Sequence, residues 1–293
     1  MIKCLLCDFY DFSKIEGVED FEYKTYKPVT YLECKRCHLL QQFPLPKKER
    51  LSSFYPEDYR NYLPVKKNIF SFLKKIQMNG LVSKLSKHLD PKDKILELGS
   101  GNGGLLSALQ TRGYFDLQGC DFGNIPLSNI RFRSADIENE IPFDEKFDVI
   151  IMNNVIEHLL DPIKVLSNCA NKLTEKGIVI IITPNTESLD FKIFKKYWAG
   201  FHAPRHICLF SHLNIHRLFT GTLNGGNIEQ LPDLAQWAIS VQNILQSNKL
   251  TRSKLKNGLA WYFVLLMIIL SPMILVQHVM GRSGSVMCVL KRG

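Results

Sequence analysis

From residue 234 to its last residue, this 293-residue chain contains no aspartate or glutamate. The chain as a whole has a net charge of +9. This segment is strongly basic, because it carries lysines and arginines but no acid. Such a segment favours contact with an anionic membrane surface or with nucleic acid. Its basic residues are Lys249, Arg252, Lys254, Lys256, Arg282, Lys291 and Arg292.

The N-terminus lacks the apolar segment of a secretory signal, because Met1-Ile-Lys-Cys-Leu-Leu-Cys7 reaches its cysteines at once. We therefore expect a cytoplasmic protein. In that reducing compartment the eight cysteines are expected to be thiols or metal ligands, not disulfides.

An unbroken apolar run long enough to span a bilayer is also missing. The stretch 259–276 is interrupted by Ser271 and Pro272, whereas a span needs about 20 residues. A single span would also separate the predicted last strand, 285–290, from its sheet. We predict that 249–280 is an apolar insertion forming a helical hairpin that turns at Ser271-Pro272 and docks on the inner face of the cell membrane. A helix packed on the protein, or against a second copy in a homodimer, is the alternative.

Two C-x-x-C pairs occur near the N-terminus, Cys4 with Cys7 and Cys34 with Cys37. Each pair can place two thiolates on a tight turn, and two such turns complete a tetrahedral, structural Zn²⁺ site. Aromatic residues between Phe21 and Tyr31 recur near every second position, which predicts short strands. Residues 1–45 are therefore interpreted as a zinc-ribbon-like domain, with four ordinary thiols as the alternative.

Residues 46–92 are predicted to form a helical connector. Apolar spacing from Ile69 to Leu89 suits one or two amphipathic helices. The aromatic segment Phe54-Tyr-Pro-Glu-Asp-Tyr59 is expected to pack on the main domain or to touch a ligand.

From residue 93 to the end, strand-like and helix-like patterns alternate, which predicts an α/β domain with a parallel sheet. Glu97-Leu-Gly-Ser-Gly-Asn-Gly103 follows a short apolar strand and precedes a helix. Its glycines suit a turn with positive φ that a ligand approaches closely. Asp121 follows about 20 residues later, at the position that binds a ribose. On its own this pattern also fits a dinucleotide-binding protein.

The glycine turn, Asp121, Asp136-Ile137 and Phe147-Asp-Val-Ile-Ile-Met-Asn-Asn-Val-Ile-Glu-His158 together resemble class I S-adenosylmethionine-dependent methyltransferases. The paired cysteines, the aromatic segment at 54–59 and Tyr197-Trp-Ala-Gly-Phe-His-Ala-Pro-Arg-His206 resemble the bacterial subgroup found with sugar and polysaccharide biosynthesis. The resemblance implies a Rossmann-like sheet with helices on both faces.

The resemblance also implies a set of cofactor-binding residues. The acidic residue and glycine turn would hold the methionine part, Asp121 the ribose, Asp136 and Ile137 the adenine, and Asn153 would lie near the sulfonium. The full set is Glu97, Gly99, Ser100, Gly101, Gly103, Asp121, Phe122, Asp136, Ile137 and Asn153.

Methyl transfer to a hydroxyl or carbon acid needs a group that removes a proton from the acceptor. His158 follows the fourth strand of the predicted sheet, and its alternative role is packing or capping with Glu157. His202 and His206 flank Arg205 in a loop that we expect to cover the site, with one histidine as base and Arg205 as an anion clamp. A lid held by salt bridges is the alternative for this loop.

The sequence therefore predicts a methyltransferase acting on a sugar, polysaccharide or lipid-linked glycan. Two other functions stay open. One is a nicotinamide-dependent sugar oxidoreductase, although the chain lacks a Tyr-x-x-x-Lys pair after the fourth strand. The other is a zinc-ribbon protein that binds or modifies nucleic acid, which the few basic residues of the ribbon do not favour.

Overall fold

Three short strands near the N-terminus form the ribbon. The structure is a computed structural model that describes residues 2–24, 26–55, 69–123, 130–218, 223–248, 255 and 259–293. Strand β1 spans Phe12–Val18, β2 spans Val29–Cys34 and β3 spans Leu40–Phe43. The strand predicted around Phe21 is wrong, because residues 21–23 form a turn. Asp20 Oδ1 accepts a hydrogen bond from the Tyr23 backbone N–H at 3.2 Å, and this side-chain bond favours a turn over a strand.

The main sheet has seven strands in the order β10-β11-β8-β7-β4-β5-β6. Strands β4 to β8 are parallel, and β11 pairs antiparallel with both β8 and β10. A two-residue strand, β9, lies outside this sheet. The bounds are β4 Ile95–Leu98, β5 Leu117–Asp121, β6 Arg131–Ser134, β7 Phe147–Asn153, β8 Leu173–Pro184, β9 Cys208–Leu209, β10 Leu223–Leu231 and β11 Ser285–Arg292.

Helices cover both faces of this sheet. Alternate residues of the buried strands point to opposite sides, so Leu96 and Ile150 join one apolar cluster while Ile95 and Val149 join the other. The first cluster includes α3 and the second includes α1 and α2. The predicted Rossmann-like fold is confirmed. The helices are α1 Ile69–Leu85, α2 Gly104–Gln110, α3 Pro162–Lys172, α4 Leu189–Phe194, α5 Gln236–Ser247 and α6 Phe263–Val279.

Strand β9 joins the ribbon to the main domain. It pairs antiparallel with β3, placing Leu40 opposite Leu209, so the ribbon sheet is completed by residues far along the chain. Tyr31 of β2 is fully buried, and its hydroxyl donates to the His206 carbonyl at 2.6 Å. The ribbon therefore packs directly against the loop that precedes β9.

The apolar tail differs from the prediction. Instead of a hairpin turning at Ser271-Pro272, α6 is one helix with Pro272 inside it. It packs against α5, and both helices come between β10 and β11 in the order of the chain. Because this packing buries Phe263, Met267 and Ile274, the helix is stabilised across the proline by tertiary contacts. Among the described residues, no helix combines the length and hydropathy needed to cross a bilayer. The basic positions 249, 252, 254 and 256 lie outside the described residues, as do 56–62 of the aromatic segment.

Candidate active site

The glycine turn follows β4 at the carboxyl edge of the sheet. Gly99, Gly101 and Gly103 have φ values of +69°, +50° and +71°, a region that residues with a Cβ adopt at a cost. A Cβ on Gly99 would lie 2.3 Å from Cγ2 of Val155. The turn therefore requires glycine. The positive φ values disfavour a residue with a Cβ, and at Gly99 the Val155 side chain leaves no space for one.

A cavity of about 910 Å³ opens at this edge of the sheet. Its volume falls in the upper range for small-molecule sites. Nine of the ten predicted cofactor-binding residues line it, and Gly103 lies just behind, at the start of α2. The same cavity is also lined by a second set of residues, here called the second wall: Phe54, Tyr55, His158, Arg205 and apolar residues of α1 and of the segment after β10. One cavity thus brings the predicted cofactor residues together with a second, chemically different set.

Two acidic residues of the first wall fit S-adenosylmethionine. Asp121 Oδ2 accepts from the Gly101 N–H at 2.8 Å, which leaves lone pairs of the carboxylate for ribose hydroxyls. Glu97 is 3% exposed, and its Oε2 has no hydrogen-bond partner. Burial, with Asp121 nearby, raises the pKa of Glu97 well above its usual value. A cationic amino group such as that of a methionine moiety would satisfy this buried oxygen.

The remaining predicted cofactor residues that line the cavity include those expected to hold the adenine. Ile137 is buried, whereas Phe122 is exposed at the cavity mouth. Asp136 Oδ2 lies 2.7 Å from Nζ of Lys48, so a residue of the connector pairs with this carboxylate. Asn153 ends β7, and its Oδ1 accepts from Asn154 Nδ2 at 3.2 Å.

His158 lies on the second wall, in the short 3₁₀ turn after β7. Its Nδ1 lies 2.9 Å from the Arg205 carbonyl oxygen, which can only accept, so Nδ1 carries the proton. The Tyr55 hydroxyl lies 3.0 Å from the same nitrogen. Burial lowers the pKa of His158 to about 3, so the imidazole is neutral near pH 7 with its lone pair on Nε2.

Arg205 lines the cavity but is held by the ribbon. Its Nη2 donates to Asp20 Oδ1 at 2.9 Å and its Nη1 to the Phe54 carbonyl at 3.3 Å. His202 also faces the ribbon, with Nε2 2.9 Å from Glu22 Oε2. Both side chains therefore belong to a buried ionic cluster between ribbon and main domain. The roles predicted for them as anion clamp and base stay predictions.

His206 is buried behind His158 and does not line the cavity. The two rings meet edge to face at a centroid distance of 4.6 Å. Glu157 is fully buried beside them, with Oε1 3.8 Å from His206 Nε2. Burial raises the pKa of Glu157 to about 8 and lowers the pKa of His206 well below its usual value.

Tyr55, Glu157 and the acidic pair Asp20 and Glu22 were not singled out as site residues from the sequence. Tyr55 belongs to the aromatic segment, which was expected either to pack on the main domain or to touch a ligand. Glu157 stands next to His158 and was considered only as its packing partner. Nothing in the local sequence around Asp20 and Glu22 points to Arg205, because their contact depends on how the ribbon packs.

The four ribbon cysteines form a compact cluster. Their Sγ atoms all lie within 4.8 Å of one another, with Cys4 to Cys37 and Cys7 to Cys34 each at 3.5 Å. A tetrahedral Zn²⁺ with Zn–S bonds of about 2.3 Å would place sulfurs ~3.8 Å apart. The residue after each pair, Asp8 and His38, has a positive φ, and this turns each pair towards a common point. The donor set and its spacing fit a structural zinc ion.

Residues 71–222, just over half of the chain, match the methyltransferase domain family. The chain belongs to this family. The predicted class I methyltransferase domain is thereby confirmed. The family match also decides against the nicotinamide-dependent oxidoreductase.

Curated relatives of the domain are ubiquinone biosynthesis O-methyltransferases. The enzyme of Cereibacter sphaeroides (strain ATCC 17025) is 30% identical over 109 residues, which cover 33% of this chain and 44% of the relative. That of Rickettsia bellii is 27% identical over 157 residues, covering 48% and 61%. The chain thus matches less than two thirds of the length of these relatives.

Solved structures share the fold at low sequence identity. One is a chain of the complex between the Haloferax volcanii Trm112 methyltransferase activator and a methyltransferase, with a TM-score of 0.53, 14% identity, and coverage of 84% of this chain and 96% of that one. Another is the 1,6-didemethyltoxoflavin-N1-methyltransferase of Burkholderia thailandensis, bound to 1,6-didemethyltoxoflavin and S-adenosylhomocysteine. Its TM-score is 0.53 at 12% identity, covering 90% and 95%. Both show that the overall fold is shared.

Proposed function

We propose that this chain is an S-adenosylmethionine-dependent methyltransferase that acts on a hydroxyl, or on a carbon acid, held beside His158. One observation carries the proposal. A single cavity joins the bare glycine turn and the unpartnered Glu97 carboxylate oxygen to a wall with Tyr55 and His158. The same cavity can therefore hold a charged cofactor and a second molecule at once.

Different residues would bind the cofactor and take the acceptor proton. The cofactor supplies an electrophilic methyl group on a sulfonium, and the transfer is an in-line displacement. Glu97, Asp121 and the glycine turn bind and orient the cofactor. His158 lines the cavity, and its Nε2 carries the lone pair of the neutral ring because Nδ1 donates to the Arg205 carbonyl. His158 is thus placed to take the acceptor proton.

For the acceptor we propose a sugar, polysaccharide or lipid-linked glycan intermediate. The support is the resemblance carried by the ribbon, the aromatic segment at 54–59 and the loop at 197–206. A phenolic acceptor is the second candidate, favoured by the ubiquinone biosynthesis relatives and by apolar residues of the second wall such as Met78, Leu81 and Leu231. Transfer of labelled methyl to nucleotide sugars and lipid-linked glycans, in parallel with prenylated phenols, separates the two.

Calorimetric titration of the purified chain with S-adenosylhomocysteine, and with NAD⁺ as control, tests the cofactor. We expect micromolar binding of the former only. Asp121→Ala removes the ribose acceptor and should weaken binding on the order of 100-fold, since two hydrogen bonds to a charged group contribute about 1.5 kcal/mol each or more. Asp116→Ala, at an exposed position before β5, is the matched control. Failure of wild-type protein to bind S-adenosylhomocysteine would overturn the proposal.

We further propose that α6 docks on an anionic membrane surface. Leu265, Ile268, Ile269, Leu275 and Val279 are exposed on this helix. At 3.6 residues per turn they lie within about 120° of one another around the helix axis, which forms one apolar stripe. The segment from 234 onwards is basic and free of acids, so its charge complements anionic lipid. This would place the enzyme where lipid-linked acceptors lie.

Flotation with phosphatidylglycerol vesicles tests the docking. We expect wild-type protein to float with the vesicles and the double variant Ile268→Ser, Ile269→Ser to stay in solution. Phosphatidylcholine vesicles are the matched control for charge. Absence of flotation would overturn membrane docking, and a dimer that the same double variant dissociates would assign the stripe to a second copy of the chain.

A further inference from the structure

A cluster of three side chains behind the second wall has the make-up of a metal site. Glu157, His158 and His206 each offer a ligand atom, and these atoms all lie within 4.8 Å of one another. Two imidazoles and one carboxylate bind divalent ions of the first transition series. Neither the family match nor the proposed methyl transfer requires a metal here.

The hydrogen bonds of the two histidines prepare them as ligands. His158 Nδ1 lies 2.9 Å from the Arg205 carbonyl oxygen, and His206 Nδ1 lies 2.7 Å from that of Gly200. A carbonyl can only accept, so both rings carry their proton on Nδ1 and a lone pair on Nε2. Metal-binding histidines are typically oriented by such a bond from the other ring nitrogen.

The carboxylate is prepared in the same way. Glu157 Oε2 accepts from the Thr183 hydroxyl at 3.0 Å, which orients the group. Glu157 Oε1 is fully buried and has no hydrogen-bond partner. His206 Nε2 is 3.8 Å away, too far for a direct hydrogen bond. A buried carboxylate oxygen beside the His206 lone pair, in a group whose ligand atoms all lie within 4.8 Å of one another, calls for a cation to satisfy it.

An ion-pair group lies next to the proposed ligands. Arg205 pairs with Asp20 and Glu22 of the ribbon. The ring of His202 lies 5.1 Å from that of His206. Glu157 is the carboxylate beside the two imidazoles.

We propose that Glu157, His158 and His206 bind a divalent transition-metal ion at the wall of the cavity. Because His158 lines the cavity, the ion would keep open positions towards it. Ligand bonds of about 2.1 Å require the donor atoms to approach to ~3.4 Å in a tetrahedral site. Small side-chain rotations therefore accompany binding. Binding of the ion does not rest on the proposed function. An ion on Nε2 of His158 would occupy the lone pair proposed above as the base, so the same molecule cannot use His158 in both roles.

The first experiment counts metal ions on the full-length wild-type chain. The protein is loaded with Zn²⁺, freed of excess ion by gel filtration, and analysed by elemental mass spectrometry. We expect two ions per chain, one in the ribbon and one in the cluster. In a second loading, protein whose ribbon already holds one zinc ion is exposed to Co²⁺ or to Mn²⁺. Each should add one ion per chain. A single zinc per chain, with no uptake of either other ion, would overturn the proposal.

Variants assign the second ion. Glu157→Gln and His206→Gln should each lose one of the two ions while the ribbon ion remains. His88→Gln is the matched control, because His88 also faces a carboxylate, that of Glu229 at 3.4 Å, and it should keep both ions. Equal metal content in all four proteins would place the second ion elsewhere and overturn the assignment.

Titration of the same samples with S-adenosylhomocysteine separates this proposal from the proposed function. Retained S-adenosylhomocysteine binding with one ion per wild-type chain rejects the metal site alone. Two ions without S-adenosylhomocysteine binding rejects the cofactor and keeps the metal site. The decisive metal count is made on wild-type protein. The proposal can therefore be rejected even if a variant fails to fold.

Discussion

The two walls of the cavity are built in different ways. The cofactor wall comes from one continuous region between Glu97 and Asn153, where each residue lies at the carboxyl end of a strand or just after it. The second wall combines the connector with its helix α1, the turn after β7, the loop before β9 and the segment after β10, and the ribbon holds Arg205 of this wall in place. The first wall is therefore held by local geometry and the second by contacts between distant segments. Damage to the ribbon should reach only the second wall.

The largest effect is expected from a substitution in the ribbon, which should impair methyl transfer at the second wall without changing cofactor binding. Cys34→Ser removes one thiolate from the ribbon site, whose zinc would contribute on the order of 10 kcal/mol to folding of the ribbon. Since Tyr31 of β2 holds the His206 carbonyl, the second wall should shift and methyl transfer should fall on the order of 100-fold. Binding of S-adenosylhomocysteine, measured by calorimetry, should stay close to that of wild type.

Lys35→Ala serves as the control for Cys34→Ser, because this exposed side chain lies on the same turn and pairs only with Asp11 at the surface. It should change neither measurement. Equal losses of cofactor binding and transfer in Cys34→Ser would show that the walls are not independent.

A smaller effect is expected from the ionic contact between ribbon and loop. Arg205→Leu removes the buried guanidinium that pairs with Asp20 and should lower the free energy of unfolding by about 3–5 kcal/mol. Urea denaturation measures this loss. Arg131→Leu, which breaks the exposed pair with Glu145, should cost less than about 1 kcal/mol. If Arg205→Leu instead keeps its stability and raises only the KM of the acceptor, Arg205 is the anion clamp predicted from the sequence.

The local wall can be tested at its glycine turn. Gly99→Ala places a Cβ against Val155 at a positive φ, which costs about 1–2 kcal/mol for the backbone and about 1–3 kcal/mol for overpacking. Gly113→Ala has φ +91° but nothing within 4 Å of its Cβ, so it should show the backbone cost alone. Urea denaturation compares the two variants, and equal losses would mean that Val155 moves aside.

The smallest effect is a pH dependence from Glu157, measured without added divalent metal. Burial raises its pKa in the folded state to about 8, above the unfolded value, so its contribution is present at low pH and is lost as the pH rises towards 8. His158, with its pKa lowered to about 3, acts with the opposite sign below pH ~6.5. Between pH ~6.5 and 8 the contribution of Glu157 to stability should therefore fall by up to about 1.4 kcal/mol per pH unit. Glu157→Gln should flatten this slope, and identical profiles would contradict the assignment.

Much of the cofactor wall was predictable because its information is local. Positive-φ glycines, an acid at the end of β4 and another at the end of β5 appear in the sequence at fixed spacing. The placement of Asp121 and Ile137 in the cavity follows from that spacing and from the order of parallel strands.

The second wall could be predicted only in part. His158 follows a recognisable strand, and it lines the cavity. The positions of His202 and His206 depend on β9 pairing with β3 and on Tyr31, which no local pattern encodes. The same applies to α6, where tertiary contacts with α5 outweigh the expected break at Pro272. Long-range packing decided each of these outcomes.

The pairing of β3 with β9 has a consequence for how the chain folds during synthesis. Leu40 cannot meet Leu209 until the ribosome has added all the residues between them, which at ~5–20 residues per second takes roughly 10–30 s. Meanwhile the ribbon presents an unpaired strand edge, a template for unwanted association. The cofactor wall, made of closer segments, can assemble during that interval. The nascent chain would thus acquire its cofactor half first and complete the acceptor half only when β9 emerges.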